Sequence, residues 1–358
     1  MLIIVEGYVS RNHRKPARRL NAVLMLASPA VLACYAGSAL ADETEPRDET
    51  LLDPIAITAS EVAPGGVQIS EEALERANAT SIKDIFRSEA SVNVGGGSDV
   101  SRKIYVNGVE DTNLNVKIDG ARQVNSAFHH LGTAIIDPGL MKSVRVETGV
   151  GPVDVGPGAI AGSIAYETKD ARDILDADQT IGGYARAQYG TNGNQHGEVL
   201  TVAAQHGNVE GLAYLSMDGG NLYEDGAGIE TDGTKPDMNN SLAKFAWNSR
   251  NGGRLEFQGS YLKDEAVRPN RANFGALANG SPPTLQTFRR KTFTLSYRDE
   301  APTDMVNPEV VLSYNKSNLL VNDLQFGPFT FDMRSETASH NGKFANTFAT
   351  GLGLADSG

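Results

Sequence analysis

Ile118-Asp-Gly-Ala-Arg-Gln-Val-Asn-Ser-Ala-Phe-His-His-Leu-Gly132 is followed ten residues later by Lys142-Ser-Val-Arg-Val-Glu-Thr-Gly149. Gly156-Pro-Gly-Ala-Ile-Ala-Gly162 and Ser163-Ile-Ala-Tyr-Glu-Thr168 complete the stretch. Three β-patterned runs are visible in and beside it. Val116–Asp119 is closed by Gly120, Ser143–Thr148 is closed by Gly149, and Ser163–Thr168 follows a passage dense in glycine and proline. The first two alternate apolar and polar residues, the period of a half-buried strand. The glycines read as turns and close packing. G-x-G-x-x-G opening a helix after a strand is absent, so they do not read as a phosphate cradle. Between the first two strands lies a loop carrying Phe128, His129 and His130.

Working outward, Ser70 before Glu71-Glu72-Ala73-Leu74 predicts a capped helix, and Ser81 with Asp84 three residues on predicts a second. Ser91–Val94 and Arg102–Val106 read as strands, the latter closed by the hairpin pair Asn107-Gly108. This is a small α+β domain over residues 61–168, followed by a linker, 169–180.

From Ile181 the pattern is β throughout, with alternating runs at Tyr184–Tyr189, Glu198–Gln205, Leu212–Met217, Leu242–Asn248, Leu255–Leu262, Thr292–Arg298, Val310–Asn315 and Phe329–Arg334. Tight turns alternate with long polar loops, the asymmetry of a transmembrane barrel. Tyr184, Tyr189, Tyr214, Trp247, Tyr261, Tyr297 and Tyr314 read as an interfacial girdle. His196, His206 and His340 read as surface histidines of turns or loops.

The N-terminus has its own character. Arg11, Arg14, Lys15, Arg18 and Arg19 precede an apolar segment, Leu20–Ala33, too short to span a bilayer, and Ala39-Leu40-Ala41 offers a small-residue cleavage site. Residues 1–41 read as a secretory signal peptide. Its removal leaves 27 of 32 basic and 43 of 44 acidic residues, a net charge of −16. That balance argues against nucleic acid as a partner. The single cysteine, Cys34, lies within the signal, so the exported part is expected to hold itself together without disulfides. Residues 42–60 form an acidic leader. Its apolar island Asp53-Pro54-Ile55-Ala56-Ile57-Thr58-Ala59 reads equally as a first strand or as a segment adding to a partner's sheet edge. No nucleophile elbow or phosphate loop is present, so an enzyme is not expected.

Taken together, residues 51 to about 350 resemble a TonB-dependent outer-membrane receptor of a Gram-negative bacterium. Residues 53–59 resemble the family's TonB box, Ser81–Phe86 its early plug helix, and Lys142–Thr168 the closing signature of its plug. The resemblance implies an α+β plug followed by antiparallel transmembrane β-barrel strands, in a barrel of about 22 strands around a plugged lumen. Residues 181–358 would hold only its N-terminal part, roughly eight or nine strands at ~9–11 residues each, and the chain is expected to be C-terminally truncated. Ile118–Gln123, Phe128-His129-His130 and Thr168–Asp173 look most like the haem and haemoprotein branch.

By that resemblance His129 or His130 would ligate haem iron, Phe128 would face the macrocycle, and Arg122 or Tyr105 would meet a propionate. Haem is then cargo rather than a permanent cofactor. The implied partners are TonB, reached through residues 53–59, outer-membrane lipid, and haem or a haemoprotein. Two alternatives stay open: a ferric-siderophore or other metal-chelate receptor of the same family, and a non-transporting surface or periplasmic binding fragment.

Overall fold

The computed structural model describes residues 66–95, 99–124, 131–133, 135–149, 156, 158–176, 178–269, 282–303, 305–326 and 328–347, all within one compact unit, residues 59–358. No helix among them is long and apolar enough to cross a membrane. Three sheets organise them.

The first is a five-stranded mixed sheet built from β1 (Val67–Ile69), β5 (Asn115–Ile118), β6 (Ala121–Arg122), β7 (Met141–Thr148) and β8 (Gly162–Thr168), in the order β1-β7-β8-β5-β6. Only β5 and β8 run parallel. Its apolar face (Ile69, Val116, Ile118, Val144, Val146, Ile164, Tyr166) packs on α1 (Glu71–Ala77) and α2 (Ile82–Ile85) through Leu74, Ile82 and Ile85. Both helices start where their polar residues cap them. Ser70 Oγ accepts from Ala73 N at 3.4 Å, and Asp84 accepts from the backbone N–H of Ser81 at 3.0 Å. The second sheet joins β2 (Val92–Gly95), β3 (Lys103–Val106) and β4 (Val109–Glu110); β3 and β4 turn at Asn107 and Gly108, both with positive φ.

The third sheet is an antiparallel meander of eight strands: β9 (Ile181–Gly190), β10 (Gln195–His206), β11 (Val209–Gly219), β12 (Met238–Asn248), β13 (Gly253–Arg268), β14 (Thr284–Asp299), β15 (Pro308–Phe326) and β16 (Phe329–Asn346). Sequence-adjacent strands pair throughout, and among the described residues β9 and β16 are its edges. Along β11, Glu210, Leu212, Tyr214 and Ser216 are buried against the smaller domain, while Leu215 and Met217 are more than half exposed on the opposite face. Phe245, Phe257 and Phe293 continue that outer apolar band, the surface a hydrocarbon layer covers.

Four expectations change. The strands outrun their alternating cores: β15 and β16 run 19 and 18 residues where six each were expected, because polar and small residues at 316–318 and 335–342 break the hydrophobic alternation. Long loops do not strictly alternate with short ones. The end bearing 220–237 and 269–283 also has the short connections 191–194 and 327–328. Tyr214 is not a girdle residue but a buried, inward one. His196, His206 and His340 lie in strands, and His340 packs against the Tyr314 ring at 4.9 Å between centroids.

Candidate functional site

The plug's contact with the strand wall starts at the turn after β5. Asp119 and Gly120 take φ of 45° and 76°, the left-handed pair of a two-residue hairpin, which returns the chain into β6. Gly120 sits so close to β15 that a Cβ there would lie 2.9 Å from Val311 Cγ1. The Asp119 carboxylate accepts from Thr168 N (2.8 Å), the Thr168 hydroxyl (2.7 Å) and Gln258 Nε2 of β13 (2.7 Å). One turn residue thus joins the plug's last strand to the wall.

Gln123 follows. Its N–H donates to Val116 O (2.8 Å), its Nε2 to Ala121 O (2.8 Å), and its Oε1 accepts from Asn315 Nδ2 of β15 (3.0 Å). The loop that begins there carries Phe128, His129 and His130, which lie outside the described residues, as does the segment Asp53–Ala59. The chain resumes at Leu131, which is buried against Leu262, Phe288 and Leu319 of the wall. Gly132 N donates to Val100 O (2.9 Å), and Thr133 donates to Asp111 from its N–H (3.1 Å) and from its hydroxyl. Asp111 is fully buried. Burial pushes its carboxyl pKa up, against the opposing pull of the Thr133 bonds and nearby Lys103.

Arg122 is half-buried on β6, with its guanidinium against the glycine passage: a Cβ on Gly158 would lie 2.5 Å from Arg122 Nη2. Tyr105 is on β3 beside Glu110, and its hydroxyl pKa is raised by burial and by the Glu110 and Asp111 charges. A cavity of about 1190 Å³ separates Lys83 and Arg102 of the plug from Asp218, Tyr223 and Asp237 of the wall's longer-loop end.

At the other end an ionic cluster fastens the plug and linker to the wall. Lys244 Nζ donates to Thr168 O (3.0 Å) and Asp170 Oδ1 (3.1 Å) and lies 3.7 Å from both Asp119 and Glu256. Arg254 Nη1 meets Glu210 at 2.7 Å. Arg172 donates to Glu210 (2.7 Å), Glu300 (2.9 Å) and Asn248 (2.7 Å). Burial opposes ionisation of Asp170, but the Lys244 and Arg254 charges outweigh it and hold the carboxyl below its usual range. Asp170 and Arg172 fall within the motif Thr168–Asp173, whereas Lys244, Arg254 and Glu210 belong to no motif in the sequence. Their signal in the sequence is charge at alternate positions of β11, β12 and β13, in phase opposite to the apolar outward residues.

Residues 60–163 match the family model described as the TonB-dependent Receptor Plug Domain. Over 347 residues, 95% of this chain, the sequence is 31% identical to the heme transporter BhuA of Brucella ovis, covering 52% of that protein. Residues 60–163 are therefore a plug domain of the TonB-dependent receptors. The chain is also 27% identical over 188 residues to the TonB-dependent heme receptor A of Haemophilus influenzae, covering 51% of this chain and 25% of that one. Among solved structures, the FrpB iron transporter of Neisseria meningitidis matches with a TM-score of 0.67 at 20% identity, over 77% of this chain and 45% of that one. The Serratia marcescens hemophore receptor HasR, solved with its hemophore HasA and heme, matches at 0.65 and 20%, over 78% and 41%. These two show the fold. The chain spans about half the length of the BhuA relatives it matches. In a family of this kind the sheet's apolar outer face meets lipid and its inner face holds the plug.

Proposed function

We propose that this chain provides the plug and the first barrel strands of a receptor that imports haem across the outer membrane, driven by TonB. The observation that carries the reading is the 31% identity to a heme transporter, sustained over 95% of the chain rather than confined to the plug. His129 and His130 supply the iron ligand, Phe128 an apolar face for the macrocycle, and Arg122 a cation on the strand leading into their loop. Residues 53–59 are the TonB-pairing segment. The reading is one of binding and passage, without catalysis.

Haem titration of outer membranes carrying the protein tests it. A Soret shift that disappears when His129 and His130 are both replaced by alanine supports haem ligation by the loop. No shift in the unaltered protein overturns it and favours a ferric chelate as cargo. Deleting residues 53–59 should leave the shift intact and abolish uptake; retained uptake would exclude that segment as the TonB contact.

A further inference from the structure

Five basic side chains are buried among the described residues: Lys103, Lys244, Arg254, Arg268 and Arg290. The first four each lie within 4.0 Å of a carboxylate. Arg290 does not. It is 6% exposed, and its Nε and Nη1 have no hydrogen-bond partner among the described residues. It cannot escape by losing its proton, because a guanidinium stays charged at any pH a protein tolerates. A buried cation in this state is costly unless an anion or water reaches it at some stage of the protein's work.

Its position is defined by register. Along β14 the buried residues Gln286, Phe288, Arg290, Thr292 and Thr294 face inward, while Leu285, Arg289, Lys291, Phe293 and Leu295 face out. Arg290 pairs with Leu262 of β13 and Ser317 of β15. One inward row toward the linker end, Thr292 and Asn315 join Gln123; one row the other way, Phe288 and Leu319 pack on Leu131. The cation therefore stands between two plug contacts.

It is also part of a strip. In the row formed by Gln258, Thr294 and Ser313, the Gln258 Oε1, Thr294 Oγ1 and Ser313 Oγ atoms are buried without partners, and Asn315 Oδ1 beside them is too. The wall around Lys244, Glu210 and Arg254 is tied to plug and linker by ion pairs instead. Gln258 and Asn315 each give the plug one amide hydrogen bond, so their amide oxygens and the Thr294 and Ser313 hydroxyls are the atoms of the strip left unmet.

We propose that Arg290 is a carboxylate-binding site of the lumen wall, engaged by the cargo as the plug draws away from β13–β15, with Gln258, Thr294, Ser313 and Asn315 as the polar wall of that passage. The guanidinium's planar fork matches a carboxylate in two parallel bonds, which a point charge does not. This rests on the haem reading, under which the carboxylate is a haem propionate.

The protein, expressed from its complete native reading frame in a haem-auxotrophic Gram-negative host, is assayed for binding and uptake of haem and of the iron porphyrin whose two propionates are methyl esters. Arg290→Gln should leave haem binding unchanged and slow haem uptake about ten-fold. It should leave uptake of the diester unaltered, and Arg290→Lys should recover part of the haem rate. In the unaltered protein the diester should itself enter about ten-fold more slowly than haem. If Arg290→Gln fails to assemble, Arg290→Lys carries the test: it should take up haem more slowly than the unaltered protein and the diester at the unaltered rate. Equal haem uptake by the unaltered protein and Arg290→Gln, or an equal loss for both porphyrins, overturns the inference while leaving the haem reading standing. Absence of both binding and uptake of haem by the unaltered protein overturns the haem reading and this inference with it.

Discussion

Lys244 of β12 and Asp170 of the linker, 74 residues apart in sequence, meet at 3.1 Å across the boundary between wall and plug. The same ammonium donates to Thr168 O, so it fixes backbone as well as charge. Removing one partner of a buried pair leaves the other uncompensated, at a cost of about 3–5 kcal/mol. Lys244→Ala would leave Asp119 without its cation, and Asp170 and Glu256 with Arg254 as their nearest one. It is expected to lower the guanidinium midpoint of the purified receptor and to open residues 169–180 to protease. Lys244→Met with Asp170→Asn should lose less than the two single changes added together, since neither charge is then left alone.

The bond from Asn315 to Gln123 ties the start of the histidine loop to β15. Its coupling energy in a double-mutant cycle of Gln123→Ala and Asn315→Ala, read from denaturant midpoints, is expected to be about 1 kcal/mol. Additive single effects would show that the wall and the loop's entry are independent.

Acidification should loosen this assembly in a defined sense. Asp170 and Asp84 both have folded pKa values below the ordinary carboxylate range, Asp170 through Lys244 and Arg254, Asp84 through bonds from Ser81 and Thr80, each against the opposing effect of burial. A depressed folded pKa contributes stability that is present above the unfolded value near ~3.9 and is lost as pH falls through the folded value. Unfolding free energy should therefore drop between about pH 5 and pH 2, and Asp170→Asn should flatten that slope. Asp111, whose pKa is raised, acts with the opposite sign: its contribution is present at low pH and fades as pH rises through the raised value. Asp111→Asn should make the slope steeper on the acid side.

Gly162 opens β8 with φ 131°, and a Cβ on it would lie 2.1 Å from Glu147 O of β7. Gly162→Ala is expected to separate the two strands at that end and to destabilise by more than about 1 kcal/mol. The comparison with Gly108→Ala, where φ is positive but no atom lies within 4 Å, isolates the steric part.

What the sequence disclosed follows from what is local. Asn107-Gly108 and Asp119-Gly120 are turn pairs whose backbone demand is written in two adjacent residues, and Ser81 with Asp84 encodes a cap within one helical turn. The outward phenylalanines betray the lipid face by period alone. The meeting of Asp119 with Gln258, 139 residues away, has no such local signature; it depends on how plug strands are rotated against wall strands. Tyr214 was misplaced for the same reason. An aromatic in a barrel strand reads as girdle until Asp137, from a distant plug segment, is found accepting its hydroxyl at 2.8 Å.

Gly132 has one more consequence. Its N–H is bound to Val100 O, and a Cβ on it would come within 2.1 Å of Arg102 O, so the histidine loop leaves the plug at a fixed abutment. Gln123 is the abutment at its start. Between two fixed ends, doubling a loop's length costs only about 0.6 kcal/mol. The residues between these two abutments can therefore be lengthened or shortened at small cost in stability while both ends stay fixed.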